Sequence, residues 1–237
     1  WYVNYKKVYG KDITKDKDKI NNFAGKSIIN DKVIKKDVLE EDNITGNKNK
    51  KRIGFAMCGS YCTYSRAFEE AERLTEKYEL IPIMSENAAE TDSRFGAASE
   101  NIKRLMQITG RHVVTTIAEA EPLGPREPME AMVIAPCTGN TLAKLANGVT
   151  DTAVTMAAKA HLRNGRPLVI AFSTNDGLSG SAENIGRLLN RKNVYFVPFR
   201  QDDAAKKPRS LQSDFSLIDQ TVEAALRGWQ IQPIIKN

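Results

Sequence analysis

Residues 131–152 have the sequence AMVIAPCTGNTLAKLANGVTDT, in which an apolar run leads into a small polar turn and then into a helical pattern. A continuous run such as AMVIAP, residues 131–136, is typical of a strand that is covered on both faces. The turn contains threonine, glycine and asparagine, and residues 141–146 have helical spacing. This succession of strand, turn and helix is the repeating unit of an α/β fold.

The same unit recurs on both sides of this stretch. Residues 52–60, RIGFAMCGS, predict a strand that runs into a small-residue turn, and further strands are predicted to end at Ser85 and Ser173. Helical spacing follows the first of them from Tyr64 to Tyr78. Because strands that alternate with helices form a mainly parallel sheet with helices on both faces, we predict a doubly wound α/β domain over residues 51–237.

The net charge of +6 is concentrated in residues 1–50, which hold 12 lysines and 8 acidic residues, whereas residues 51–237 hold 23 basic and 21 acidic residues. The apolar residues of the first segment keep neither a strand period nor a helix period for long. We predict that residues 1–50 form a disordered or loosely packed extension. Its lysines alternate with acids and lack an aromatic stacking pattern, so nucleic-acid binding is not expected.

The composition also excludes other classes of protein. With 41% hydrophobic residues the chain can bury a core, but it has no apolar run of about eighteen residues, so no membrane-spanning helix is expected. The three cysteines are Cys58, Cys62 and Cys137, an odd number without a secretory signal, which favours a reducing cytoplasm. They lack further Cys or His partners at ligand spacing, so no metal site is expected.

Four predicted strands end in small hydroxyl, amide or glycine residues. The four turns are formed by Gly59 and Ser60, by Ser85, Glu86 and Asn87, by Cys137, Thr138, Gly139, Asn140 and Thr141, and by Ser173, Thr174, Asn175, Asp176 and Gly177. Each one is also ordinary turn and cap chemistry. In a doubly wound sheet, however, ligands bind beyond the carboxyl ends of the strands, where glycine permits close approach and hydroxyls and helix N-termini donate to phosphate. Together they predict a site for a phosphate-bearing ligand.

Two nucleotide-binding motifs are absent from the sequence, and their absence disfavours two classes of ligand. The turn GFAMCGS lacks the G-x-G-x-x-G spacing of dinucleotide sites, and no G-x-x-x-x-G-K-[ST] occurs. A mononucleotide with one terminal phosphate, such as FMN, therefore fits better than NAD or ATP.

The turn and helix over residues 136–152 resemble those of the flavoprotein family that includes cysteine-peptide decarboxylases, phosphopantothenoylcysteine decarboxylases and flavin prenyltransferases. Members carry P-x-[ST]-x-N-[ST] followed by K-[IL]-A-N-G, which correspond here to Pro136, Thr138, Asn140, Thr141 and residues 144–148. The turn at Gly59 and the sequence SENA from Ser85 match more weakly. The resemblance implies a homo-oligomeric, flavodoxin-like three-layer sandwich.

The same resemblance implies FMN at the strand ends. Gly59, Ser60 and Ser85 would surround its phosphate and ribityl chain, and Thr138, Asn140 and Thr141 would reach the ring or the chain. The cofactor set that we predict from the resemblance and the strand ends is completed by Pro136, Gly139, Ser173 and Asn175.

Further passages, among them KRIGFAMCGSYCTY, TDSRFG and VPFRQDDAAKKP, are similar to one branch of this family, found in spore-forming bacteria. That branch implies an oxidoreductase subunit whose partner, the A subunit of the same enzyme, resembles dinucleotide-binding dehydrogenases and would bring NAD(P). The two would form dipicolinate from a tetrahydrodipicolinate-type precursor during sporulation, in the cytoplasm of the mother cell. No catalytic residue of this chain is identified.

Two departures from the family leave alternatives open. Decarboxylase members carry a histidine after the second strand and a P-x-M-N-x-x-M-W clamp later, where this chain has TDSRFG and STNDGLSG. An FMN-dependent decarboxylase of the phosphopantothenoylcysteine type is therefore an alternative only, as is a non-catalytic structural subunit. We interpret both histidines, His112 and His161, as structural.

A dicarboxylate substrate calls for a cation at the site. Guanidinium binds carboxylate bidentately and keeps its charge, so Arg94 in TDSRFG is the leading candidate for substrate binding. Weaker candidates are Arg163, Arg166, Lys206 and Lys207.

Overall fold

The computed structural model describes residues 50–236, so the predicted extension over residues 1–50 lies outside it except for Lys50. The strands of the described part are β1 (Lys51–Met57), β2 (Tyr78–Met84), β3 (Ala131–Cys137), β4 (Leu168–Thr174), β5 (Val194–Phe196), β6 (Phe199–Asp203) and β7 (Lys207–Ser213). Its α-helices are α1 (Tyr64–Lys77), α2 (Glu86–Glu90), α3 (Ala98–Thr109), α4 (Ile117–Ala120), α5 (Gly139–Asn147), α6 (Ala153–Arg163), α7 (Ala182–Leu189) and α8 (Ile218–Leu226). Among these helices none is both long and apolar enough to cross a membrane.

Five strands form a parallel sheet in the order β2, β1, β3, β4, β5. The chain passes from β1 outward to β2 and then returns past β1 to β3, so the direction of winding reverses between β1 and β3. A reversal of this kind opens a crevice at the carboxyl ends of the strands. The predicted doubly wound, flavodoxin-like sheet is confirmed.

Strand β4 has two successive neighbours on its outer side. Residues 168–170 pair in parallel with β5, and Ser173 and Thr174 pair antiparallel with β7, which forms a hairpin with β6. The apolar sequence NVYFVPF, residues 193–199, predicts a single strand, but Pro198 has no N–H to donate and β5 ends before it, at Phe196. The hairpin therefore extends the sheet at the carboxyl end of β4.

Two apolar cores lie on opposite faces of the sheet. Within β3, Val133 and Ala135 point into one core, and Met132 and Ile134 point into the other, as the strand period requires. Helices α1, α3 and α8 close the first core, and α5, α6 and α7 close the second. These three layers are the predicted sandwich.

Helix α1 buries the face that its sequence predicts. Tyr64, Phe68 and Leu74 are buried against the sheet. Tyr78 was predicted to continue this face, but its backbone is extended and it opens β2 beside Lys51. Gly110 follows the helical spacing of Ala98, Ile102, Leu105 and Ile108 and so predicts a C-terminal cap, and it caps α3 with a φ of 66°.

Both histidines have hydrogen-bond partners within the protein. His161 is buried in α6, and its Nε2 lies 2.9 Å from the Pro167 carbonyl oxygen. Burial lowers the pKa of this imidazole to about 4, so at neutral pH it is uncharged and its Nε2–H donates to the carbonyl. His112 is exposed, with its Nε2 3.3 Å from a carboxylate oxygen of Glu119.

We expect His161 to make folding stability depend on pH. The unfolded chain binds a proton at this residue near pH 6.5 and the folded chain only near pH 4, so acidification between these values favours unfolding. Between about pH 7.5 and about pH 5, the wild-type free energy of unfolding should fall by about 2 kcal/mol more than that of His161→Gln. Urea unfolding at both pH values measures this difference, and equal pH dependence of the two proteins would contradict it.

Candidate functional site

Two adjoining cavities open at the carboxyl edge of the parallel sheet. The first has a volume of about 620 Å³ and is lined by Cys58, Gly59, Tyr61, Ser85, Glu86, Asn87, Thr91, Thr138, Asn140, Thr141, Lys144, Asp151 and Thr152. The second has a volume of about 350 Å³ and is lined by Gly59, Ser60, Tyr61, Cys62, Arg94, Phe95, Thr138, Gly139, Ser173, Thr174 and Asn175. Three of these residues line both cavities, which therefore share a wall.

The residues predicted from the strand ends come together at these cavities. The first cavity holds Gly59, Ser85, Thr138, Asn140 and Thr141, and the second holds Gly59, Ser60, Thr138, Gly139, Ser173, Asn175 and the predicted substrate residue Arg94. Pro136 lies within β3 instead, where its carbonyl oxygen accepts the Cys58 N–H at 3.1 Å. The four strand ends thus meet, and the ligand that they bind stays a prediction.

Helix N-termini form part of the first cavity. Ser85 caps α2, Thr138 caps α5 and Thr152 caps α6, and each side-chain oxygen accepts a backbone N–H at 3.1 to 3.3 Å. A hydroxyl that accepts in this way keeps its own proton for another partner. Thr155 donates its proton to the Thr152 carbonyl, so the Thr152 hydroxyl donates to Thr155 Oγ1 at 2.9 Å. All three caps hold their helices in place, and the donors left for a ligand are at Ser85 and at the pair Thr138 and Thr141.

The hydroxyl groups of the two cavities differ in what they can give a ligand. The Ser85 proton is free, and the hydroxyls of Thr138 and Thr141, 3.0 Å apart, share one proton and leave one free. Ser60 donates to the Ser173 carbonyl at 3.0 Å and so presents lone pairs to the cavity, not the donor that its sequence position suggests. These hydrogen bonds decide which hydroxyls can face an anion.

The charged groups of the first cavity are paired within the protein. Lys144 Nζ lies 2.8 Å from Asp151, and this contact lowers the pKa of the Asp151 carboxyl. Glu86 accepts the Ala153 N–H at 3.1 Å, at the start of α6. At the start of α5 the acid beside Gly139 is Asp176, whose carboxylate accepts from Thr174 and Ser181. The N–H groups of the first residues of α5 have no partner inside the helix, so this N-terminus can donate to an anion on the side of the first cavity.

A tight turn carries Arg94 and Phe95 to the second cavity. Ser93 and Gly96 exchange backbone hydrogen bonds at 3.0 and 3.1 Å, and Gly96 has a φ of 137°, which residues with side chains rarely adopt. The Arg94 guanidinium carbon lies 4.9 Å from the centre of the Phe95 ring. Within residues 50–236, the lining of this cavity includes the cation Arg94 and no acid. It therefore suits an anionic group beside a ring.

Gly139 lets α5 approach the end of β4. A Cβ at this position would lie 2.7 Å from the hydroxyl oxygens of both Thr174 and Ser181. Thr174 donates to the Asp176 carboxylate, as does Ser181 at 2.8 Å, and these two bonds lower the pKa of Asp176. A glycine is thus required for the N-terminus of α5 to pack against the end of β4 at the second cavity.

The other predicted cations lie outside both cavities. Arg163 ends α6 and Arg166 precedes β4, so both are at the opposite, amino edge of the sheet, where Arg166 donates to the Met129 carbonyl at 2.8 Å. Lys206 and Lys207 belong to the β6–β7 hairpin, and Lys207 pairs with Asp202 at 2.8 Å. Of the predicted cations, only Arg94 lines a cavity in the described part of the chain.

Two cysteines at the strand ends are buried and protonated. Burial raises the pKa of Cys58, which lines the first cavity, to about 11, and it raises the pKa of Cys137 well above its ordinary value. Neither is a thiolate nucleophile at neutral pH. Over residues 50–236, no three His, Cys, Asp or Glu side chains come together as a metal site.

The sequence reasoning missed several lining residues. The predicted turns already held Glu86, Asn87 and Thr174, but they did not hold Thr91, Asp151 and Thr152 of the first cavity, Cys62 and Phe95 of the second, or Tyr61 of both. Tyr61 and Cys62 directly follow the first predicted turn, so extending that turn by two residues would have found them. Thr152 had its own signal, because a threonine before an apolar helical pattern is a typical N-cap.

The sequence and the fold are similar to those of known proteins of one family. The profile of the Flavoprotein family matches residues 41–212. The B subunit of dipicolinate synthase from Bacillus subtilis (strain 168) is 47% identical over 186 residues, which cover 78% of this chain and 93% of the relative. The crystal structure of the B subunit of dipicolinate synthase from Bacillus halodurans C is 45% identical, covers 79% of this chain and 96% of that one, and superimposes with a TM-score of 0.73.

A more distant structure shares the fold. The FMN-dependent cysteine decarboxylase SpaF is 19% identical, covers 75% of this chain and 97% of its own, and gives a TM-score of 0.54. The resemblance that the turn at residues 136–152 predicts is confirmed, and the chain belongs to the Flavoprotein family.

Proposed function

We propose that this chain is the FMN-binding B subunit of a dipicolinate synthase, an oxidoreductase that also requires the A subunit of dipicolinate synthase. The observation that carries the proposal is the convergence of four strand ends on two adjoining cavities with free hydroxyl donors. The similarity to the Bacillus subtilis B subunit over nearly all of the described chain supports the choice of reaction.

The first cavity suits the phosphate of FMN. A phosphate has acceptor oxygens only, and this cavity offers the free proton of Ser85, one free proton from the pair Thr138 and Thr141, and the N-terminus of α5 at Asn140. Its two acids, Glu86 and Asp151, are already occupied by other groups of the protein. The residues present therefore fit a phosphorylated ligand. The hydrogen bonds favour the phosphate at Thr138 and Thr141 and the ring at Ser60, whereas the family resemblance implied the reverse for these three residues.

The second cavity suits the flavin ring and a substrate beside it. Gly59 permits close approach at the shared wall and Gly139 does so within the second cavity, and Ser60, Ser173 and Asn175 would surround the polar edge of the ring. Arg94 would bind a carboxylate of the substrate, with Phe95 available against its ring. The substrate class is a ring-bearing dicarboxylate, a tetrahydrodipicolinate-type precursor of dipicolinate.

The residues of this chain would bind and orient the reactants. When bound, FMN supplies a centre that accepts or donates hydride. The turn at Ser93 to Gly96 would hold Arg94 over the substrate and limit the access of water. The A subunit, with NAD(P), would complete the dehydrogenation. We place this assembly, with this chain as a homo-oligomer, in the cytoplasm of the mother cell of a spore-forming bacterium.

A decarboxylase is the less favoured function. Neither cavity of the described chain is lined by a histidine, since His112 contacts Glu119 and His161 is buried in α6. The site thus lacks the acid or base that the family's decarboxylases keep near the second strand. A non-catalytic subunit would retain the turns without binding flavin, and flavin titration separates that case.

We expect Ser85→Ala to weaken FMN binding about tenfold and riboflavin binding by less than about twofold, because a hydrogen bond to a charged group contributes about 1.5 kcal/mol and riboflavin has no phosphate. Quenching of flavin fluorescence measures both affinities. Thr116→Ala is the matched control. Thr116 also caps a helix, since its Oγ1 accepts the Glu119 N–H at 3.2 Å, but it lines neither cavity. Equal losses for FMN and riboflavin would place the phosphate elsewhere.

Reconstitution tests the proposed function. With FMN, NAD(P) and a tetrahydrodipicolinate-type precursor, we expect dipicolinate, followed by its ultraviolet absorbance, only when this chain is mixed with the A subunit. Arg94→Ala should raise the KM of the mixture for the precursor about tenfold or more, since charge-assisted hydrogen bonds contribute about 2 kcal/mol. Arg163→Ala, at the opposite edge, should leave it unchanged. Full activity of the A subunit without this chain would contradict the proposal.

A further inference from the structure

The side chain of Ser173 is held by the strand beside it. Ser173, near the end of β4, is paired directly with Gln212 of β7, so the two side chains lie on the same face of the sheet. Gln212 Nε2 lies 3.1 Å from Ser173 Oγ. The hairpin that the sequence did not predict thus contacts a residue of the second cavity.

The orientation of the Gln212 amide is fixed by Arg66. Arg66 Nη1, from α1, lies 3.0 Å from Gln212 Oε1, and the guanidinium carbon is 5.5 Å from the centre of the Phe215 ring. A guanidinium only donates, so the amide oxygen must face Arg66 and the amide NH₂ must face Ser173. Gln212 is therefore the donor and the Ser173 oxygen is the acceptor.

This direction leaves the Ser173 proton for the second cavity. Two neighbouring hydroxyls of that cavity use their protons inside the protein, since Ser60 donates to the Ser173 carbonyl and Thr174 donates to Asp176. Ser173 also lines the cavity, and its oxygen already accepts from Gln212. Its hydroxyl is thus the one at the end of β4 that is set to donate to a ligand.

We infer that Gln212, held by Arg66, is a positioning residue that makes Ser173 a donor to the polar edge of the bound flavin ring. The inference rests on the proposed function, in which the second cavity holds that edge. Arg66 and Gln212 line neither cavity and act through Ser173 alone.

Titration with riboflavin and with FMN tests the inference. Ser173→Ala and Gln212→Leu should each weaken both flavins about fivefold and by the same factor, since one neutral hydrogen bond contributes about 1 kcal/mol and the contact is to the ring. The double variant should bind as Ser173→Ala does, because Gln212 has no other route to the ligand. Gln201→Leu is the matched control, since Gln201 donates to Pro208 within the same hairpin.

Gln212→Glu separates positioning from a structural role. The replacement keeps the size of the side chain and its contact with Arg66, but a carboxylate accepts the Ser173 proton and turns it away from the cavity. We expect it to weaken the neutral ligand riboflavin at least as much as Gln212→Leu does. If Gln212 has only a structural role, Gln212→Glu should bind riboflavin normally. The same variant still tests the inference if Gln212→Leu does not fold.

The outcomes distinguish the inference from the proposed function. Normal flavin binding by Gln212→Glu, or losses that multiply in the double variant, would overturn the inference and leave the proposed function intact. Failure of the wild-type chain to bind either flavin would overturn both.

Discussion

The pairing of β3 with β1 and β4 is the interaction on which the rest of the structure depends. All of β3 is buried, and its parallel ladders align Ile134 with Ala56 on one side and Cys137 with Phe172 on the other. Because parallel strands end at the same edge, this register sets the turns after Met57, Cys137 and Thr174 next to one another. A shift of register would remove the apolar residues from their cores and also separate the turns.

Hydrogen bonds inside the protein sort the polar residues at this edge into two groups. Some of them bond one part of the edge to another. Ser60, in the turn after β1, donates to the Ser173 carbonyl at the end of β4, and Asp176 accepts from the hydroxyls of Thr174 and Ser181 beside Gly139. Others accept a bond from the protein and keep a proton for a ligand, as Ser85 does. Both groups consist of the same residue types, so their roles follow from their partners and not from their chemistry alone.

The parts of the fold with strong local signals were predictable from the sequence. The unit from β3 to α5 combines a continuous apolar run, an N-cap at Thr138 and a glycine at position 148 that closes the helix, and each signal acts within a few residues. The β6–β7 hairpin was not predictable in this way. Its outer strand β6, FRQDD, has almost no apolar residues, and the position of the hairpin is fixed by the pairing of its other strand, β7, with the end of β4.

The site was predictable as a set of strand ends but not as a pattern of donors. Ser60 was placed correctly at the edge, yet its proton goes to a carbonyl 113 positions away in the chain, which no local pattern reveals. The positions of Arg163 and Arg166 could have been predicted, because both precede a strand and so lie at the amino edge of the sheet, away from the two cavities. Arg94 was found because it follows the second strand on a short loop.

A crystal structure of the chain with FMN tests the central claim most directly, through the distances from the phosphorus atom to Ser85 Oγ and Thr138 Oγ1. We predict that both are about 4 Å, the separation that hydrogen bonds from these hydroxyls to phosphate oxygens require, with the ring at the shared wall of the two cavities. Flavin bound away from both cavities would contradict the account.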